Sequence, residues 1–279
     1  MALRVKCPPD QNRFDHQSYY AQLNWYLFDS SAAAFTAFWG AVRHYLASHD
    51  ITSYDIRYDE ALYHPSQTAQ SLADNATLAL GQLCGVNFAR NGTGRLSYLA
   101  SYVLDDETVP AGMYNSVILT RQPKSLASIL AAPQTLSAAI SEPDSFSGRF
   151  ALYSVFSPEF TAPPFKAEHY TGDHLETVRA IAGGTAEIGA VDCLSWHIIR
   201  RAYPDMASAI HIAGRSAAFP GPPLVCSASI RPQIKADLLE AMLAAFDDDN
   251  ISQQMRRIGI TGITRLGETA YRAYAACPG

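Results

Sequence analysis

Hydrophobic positions along this chain follow two rhythms. Short runs such as ATLALGQ (76–82), NSVILTR (115–121), EIGAV (187–191) and PLVCSAS (223–229) are continuously apolar or alternate with polar residues, as expected of strands buried in a sheet. Other stretches repeat at helical spacing. Phe35, Phe38, Trp39, Val42, Tyr45 and Leu46 fall at i, i+3, i+4, i+7, i+10 and i+11, which predicts a helix with one buried aromatic face. Asp29-Ser30-Ser31 precedes it and supplies residues of N-cap type.

Strung together, the two patterns alternate, so the sequence predicts α/β layers with mainly parallel sheets. AQLNWYLF (21–28) reads as the first strand, DIRYDEAL (55–62) as a weak one and SQTAQSLAD (66–74) as a helix. After Pro110-Ala111-Gly112 the pattern starts again: strand TLSAAIS, turn and helix SFSGRFALYSVF, helix GDHLETVRAIAGG, strand EIGAV and helix CLSWHIIRRAY. Ala218-Phe219-Pro220-Gly221-Pro222-Pro223 is expected to interrupt regular structure, before PLVCSAS and the helix IKADLLEAMLAAF return to the first unit. A chain of 279 residues is long for one core. The expected division is a discontinuous first lobe, 20–112 plus 214–279, and a second lobe, 113–213, joined by two crossing segments around a cleft.

Composition narrows the function. The chain is 48% hydrophobic and 17% charged, ordinary for a globular protein, and its formal net charge of −5 provides no basic field for nucleic acid. A small anion remains compatible, because a few oriented amides bind one locally. The five cysteines, Cys7, Cys84, Cys193, Cys226 and Cys277, lack paired spacing and imply neither a disulfide framework nor a CxxC site. No apolar run approaches the roughly 18 residues of a membrane span, so no membrane insertion is expected. The first twenty residues lack the apolar core of an export leader, which leaves periplasmic and cytoplasmic locations both open.

Candidate chemistry lies at the C-terminal ends of the predicted strands, where open α/β sheets bind ligands. In Ser141-Glu142-Pro143-Asp144-Ser145-Phe146-Ser147-Gly148, Ser145 or Ser147 can cap a helix. The amides of Phe146, Ser147 and Gly148 are expected to face the cleft. A second helix start, Tyr170-Thr171-Gly172-Asp173-His174, offers Thr171 as a cap and places the His174 ring in the first turn. Asp192 closes the strand EIGAV and reads equally as a helix cap or as a group facing the cleft. Enzyme readings find little support. There is no GxSxG, and His169 and His174 stand five apart, which does not place two imidazoles on one helix face as HExxH does. Gly92-Thr93-Gly94-Arg95 lacks the third glycine of a dinucleotide loop. No metal or cofactor is implied.

Six segments taken in order resemble the motifs of the phosphate/phosphite/phosphonate-binding components of ABC importers. They are Gly81-Gln82-Leu83-Cys84-Gly85, Tyr114-Asn115-Ser116, Ser145-Phe146-Ser147-Gly148, Thr171-Gly172-Asp173-His174, Ala190-Val191-Asp192-Cys193-Leu194-Ser195-Trp196 and Pro220-Gly221-Pro222-Pro223. The resemblance runs from about Asn24 to about Leu243. It implies a type II periplasmic-binding-protein fold with an interlobe ligand cleft, a small phosphonate- or phosphate-like anion as partner, and delivery to an ABC permease. The ligand-binding set it implies is Phe28, Cys84, Tyr114, Ser145, Phe146, Ser147, Gly148, Thr171, His174 and Asp192, with no catalytic residue. Three positions depart from the pattern: Phe28 where a tyrosine is frequent, Phe146 in a small or polar place, and Pro222 where leucine is common. They leave ligand identity open, and an intracellular sensor or an enzyme on the same fold is the alternative.

Overall fold

A computed structural model describes residues 18–23, 25–26, 28–49, 56–59, 72–92 and 94–277. Two mixed sheets carry the molecule. The first has the strand order β13-β4-β12-β3-β1-β2, and the second β10-β6-β9-β7-β8. In the first sheet these are Ile260–Thr264, Leu96–Leu104, Leu224–Ser227, Leu78–Gln82, Tyr19–Gln22 and Ile56–Asp59. In the second they are His211–Arg215, Ser116–Thr120, Ile188–Asp192, Ser137–Ile140 and Ala167–Tyr170.

Between the sheets, β5 (Met113–Tyr114) and β11 (Phe219–Pro220) pair antiparallel, with Phe219 opposite Tyr114 and Pro220 opposite Met113. These are the two crossing segments. Their opposed directions explain why the sheets are mixed rather than mainly parallel as the alternation predicts. The chain leaves the first lobe through β4 and returns through β12, so those strands pair antiparallel. On the other side β6 and β10 do the same. Parallel pairing is confined to β1 with β2 and β3, and to β7 with β8 and β9. The proline-rich segment therefore does not break all regular structure. A two-residue edge strand tolerates Pro220, whose missing N–H is not needed by a wider ladder. Gly112 adopts φ +77, and a Cβ there would run into Thr264 and Leu266, so this entry to the crossing requires glycine.

Packing of the first lobe follows the helical stripe. In the helix Ala32–Ser48, Phe35, Phe38, Trp39, Val42 and Leu46 are buried. They pack with Ile234, Leu238, Ala241, Met242 and Ala245 of the helix Pro232–Asp247 in one core. Each such side chain contributes about 1.5–3 kcal/mol by leaving water. The strand predicted over 21–28 ends early, at Gln22. Ser31 does not cap the helix by its side chain; its hydroxyl donates to the carbonyl of Tyr26 and accepts the N–H of Phe28, tightening the preceding turn. Of the helix expected at 66–74, residues 66–71 lie outside the described residues. Cys84, Cys193, Cys226 and Cys277 are free and buried. Among the described residues no helix is long and apolar enough to cross a membrane.

The Phe38 ring is fully buried and meets Phe246 at 5.1 Å between centroids. Phe38→Ala is expected to lower the unfolding free energy by about 3–5 kcal/mol, the cost of emptying an aromatic core position, measured by urea titration.

Candidate functional site

Parallel strands β7, β8 and β9 end side by side, and the chemistry sits where they end. The Thr171 amide donates to the carbonyl of Ile140, and the Gly172 amide to that of Ser141, so the loop after β8 is stitched to the loop after β7. From β7 the chain turns through Ser145, whose hydroxyl accepts the Gly148 N–H at 3.0 Å and caps the helical turn Phe146–Phe150. The Gly148 amide, expected to face the cleft, is spent on this cap, and the Phe146 amide is directed to the Cys84 thiol. The Ser147 amide meets no backbone carbonyl among the described residues. Gly148 has a packing reason instead, since a Cβ there would run into the Ser141 hydroxyl.

His174 opens the helix His174–Gly183, but its N-cap is Asp173, whose carboxylate accepts the Glu176 N–H at 2.7 Å. Thr171 is not the cap. Its hydroxyl is committed to the Ile140 carbonyl and to Thr177 Oγ1, so it holds the loop rather than offering a donor. Gly172 at φ +92 makes the turn that brings the imidazole round. His174 Nε2 then lies 2.9 Å from Ser147 Oγ and 3.2 Å from Asp192 Oδ2. The other oxygen of Asp192 caps the helix Cys193–Ala202 by accepting the Ser195 N–H at 2.8 Å. Asp192 is therefore the helix cap, and its second oxygen faces the His174 ring. His174 Nδ1 and Ser141 Oγ are both buried and have no hydrogen-bond partner among the described residues.

Carboxylates surround this group. Burial, then the neighbouring Asp144 carboxylate, raises Glu142 above its ordinary 4.5, against a pull in the other direction from His174. Asp144 in turn receives the Asn87 side-chain amide of the first lobe at 3.5 Å.

Toward the crossing strands the wall becomes aromatic. Phe146, Tyr114, Cys84 and Tyr274 share one buried cluster. Phe146 meets Tyr274 at 4.6 Å and Phe219 at 4.5 Å, both edge to face. Burial, followed by Tyr274 and Cys84, pushes the Tyr114 phenol well above its usual range. Burial likewise raises the Cys84 thiol, opposed by a hydrogen bond from the Phe146 backbone. Cys193 is pushed up to about 12 by burial and then by Asp192. Neither sulfur is a thiolate at neutral pH, so neither has the character of a nucleophile.

Phe28 does not join this cluster. Half-buried, it packs between the first core and the one built on β9 and the helix Cys193–Ala202. The aromatic that does face Asp192 is Tyr26, two residues earlier and 2% exposed; burial, then Asp192 and Cys193, raises its phenol well above the ordinary range. Three residues of the neighbourhood escape the sequence pattern: Tyr26, Ser141 and Tyr274. Tyr26 lies inside a segment that reads as strand, and Tyr274 follows the last predicted helix by more than two dozen residues. Among the described residues no group of three His, Cys, Asp or Glu is placed to hold a metal ion.

Two α/β lobes joined by paired crossing strands, with polar groups gathered at strand ends between them, define a type II periplasmic binding protein. The chain belongs to the family described as the periplasmic substrate-binding protein of the phosphonate ABC transporter, whose model matches residues 30–271. No curated protein matches the sequence. Among solved structures it is similar to a binding-protein component of an ABC phosphonate transporter from Pseudomonas aeruginosa. There the identity is 15%, the TM-score 0.72, and the alignment covers 92% of this chain and 84% of that one. It is also similar to PhnD1 of Prochlorococcus marinus in complex with methylphosphonate, at 12% identity and TM-score 0.71 over 91% of this chain and 94% of that one. A Xanthomonas citri protein bound to chloride ion matches at 13% identity and TM-score 0.66, covering 93% and 96%.

Two outcomes test the geometry. Asp192→Ala removes a cap and a buried partner of His174 and is expected to destabilise the fold by about 1–3 kcal/mol in urea unfolding. Glu142 is raised in the folded state, so its contribution to stability is present below 4.5 and fades as pH rises through the folded value. Glu142→Gln lacks that loss. Its stability relative to the native chain is therefore expected to increase as pH climbs from about 4 through the weakly acid range, followed by urea unfolding at a series of pH values.

Proposed function

We propose that this chain is a non-catalytic receptor that closes around a small phosphonate- or phosphate-like oxyanion and presents it to an ABC permease. The observation that supports this most is the convergence of Ser147 and His174, from two different strand ends, beside two buried polar atoms that lack a partner: Ser141 Oγ and His174 Nδ1. Each buried group without a hydrogen bond costs about 1–3 kcal/mol, a cost that a bound oxyanion would remove. Hydroxyls, an imidazole and the first amides of a helix are the donors an oxyanion takes.

Asp192 and Glu142 modulate the site rather than bind the anion directly. Asp192 lies 3.2 Å from Nε2 and steadies the ring, while an Nδ1–H of His174 is the donor offered to an arriving anion. The same carboxylates repel an oxyanion that brings no proton, which favours selectivity over affinity. Lobe closure turns on β5 and β11, with lobe boundaries near residues 112 and 214. The raised Cys84 and Cys193 thiols weigh against a hydrolase built on either of them, and the family's role in transport supports the permease as partner and the periplasm as its place of work.

Calorimetry against phosphate, phosphite, methylphosphonate and sulfate tests this reading. At least one of the phosphorus oxyanions is expected to bind, and Ser147→Ala and His174→Ala are each expected to weaken it by about 1–3 kcal/mol, Ser147→Ala with little loss of folding stability and His174→Ala with a measurable loss, because it leaves the buried Asp192 carboxylate without its neighbour. Binding that is unchanged in both variants would place the ligand elsewhere, and a folded protein that binds none of the four would end the receptor reading.

A further inference from the structure

The C-terminal segment lies in the wall of the proposed cleft. After β13 the chain winds through the 3-10 turns Glu268–Ala276, which carry Tyr271 and Tyr274, 2% and 1% exposed. Tyr271 donates to the Gly221 carbonyl at 2.8 Å and hydrogen-bonds Ser101 at 2.7 Å. Tyr274 donates to the carbonyl of Pro220 in β11 and hydrogen-bonds Tyr114 in β5. The Arg90 guanidinium holds the Cys277 carbonyl at 3.1 Å. The segment is thus fastened to both crossing strands and to the first lobe.

Its tip reaches the neighbour of the anion-facing serine. The Tyr274 ring stands edge to face on Phe146, with interplanar angle 86°, and Phe146 precedes Ser147 directly. The ring also presses on the loop after β3 so closely that a Cβ on Gly85 would collide with it. Tyr274 therefore packs against both the Cys84-Gly85 loop and the Phe146-Ser147 turn, and Phe146 is itself large where a small residue would leave room.

We propose that Tyr274, carried by the C-terminal segment, closes the apolar end of the ligand site and sets its size, so that the preferred guest is a compact oxyanion such as phosphate, phosphite or methylphosphonate rather than a phosphonate with a bulky organic arm. The proposal rests on the receptor reading above and adds its size class. Excluding an extra apolar group from a filled pocket discriminates by about 10–200-fold.

Titration calorimetry of the native chain, Tyr274→Ala and the milder Tyr274→Leu, each against methylphosphonate and phenylphosphonate, tests it, with circular dichroism confirming the fold. The native chain is expected to prefer methylphosphonate by at least about 10-fold, and the variants to narrow that ratio by about 10-fold, mainly by gaining phenylphosphonate. A ratio that stays constant in a folded variant, or a native chain that takes phenylphosphonate as tightly as methylphosphonate, overturns the size role of Tyr274 while leaving the receptor reading in place. Failure of every form to bind either compound overturns the size role, and the receptor reading falls with it when phosphate, phosphite and sulfate also fail to bind.

Discussion

A carboxylate that is 1% exposed has to be compensated, and the second lobe is organised around how Asp192 achieves this. One oxygen is satisfied by the start of the helix Cys193–Ala202, which follows β9 without a break. The other lies 3.2 Å from the His174 ring, which comes from a neighbouring strand end. Parallel pairing of β7 with β8 and β9 allows this, because it brings all three C-terminal ends to the same edge. His174, thrown inward by the glycine turn after β8, reaches Asp192 and meets Ser147 from the turn after β7. The chain Ser147–His174–Asp192 is thus a product of sheet topology and of one buried charge.

On the other side of this chain the physics changes from polar to apolar. Phe146 begins the aromatic packing with Tyr114, Phe219 and Tyr274 that joins the second lobe to the crossing strands and the C-terminal segment. Edge-to-face ring pairs of this kind are worth about 0.5–1.5 kcal/mol each beyond their buried area. They tie the second lobe to the crossing strands and the C-terminal segment, and the two-residue β5–β11 ladder between the sheets is the narrow bridge about which the proposed closure would turn.

Much of this was legible in the sequence, for identifiable reasons. The stripe Phe35-Phe38-Trp39-Val42-Leu46 and the runs at 115–121 and 187–191 have clean periodicity, and the structure forms a helix and two strands there. Ser145, Ser147, His174 and Asp192 stood out because helix starts after strands have recognisable residue types. What the pattern could not carry was three-dimensional pairing. The direction of β4 and β12 depends on the crossing, which local periodicity does not encode. The true cap is Asp173 rather than Thr171, whose hydroxyl is taken by the Ile140 carbonyl, distant in sequence, and by Thr177 in the first turn of that helix. Phe28 packs between two cores, whereas Tyr26 is the aromatic whose phenol Asp192 perturbs, a difference that depends on the turn after Gln22 rather than on local pattern. Tyr274 had no local signal at all, since its importance lies in contacts to Phe146, Gly85 and Pro220 scattered along the chain.

The central claim is that Ser147 and His174 together receive an oxyanion. A crystal structure grown with methylphosphonate tests it most directly. The account predicts phosphonate oxygens within hydrogen-bond distance of both Ser147 Oγ and the His174 ring, at the ends of β7 and β8. A ligand seated away from those two side chains, with the Ser147–His174 contact intact, would contradict it.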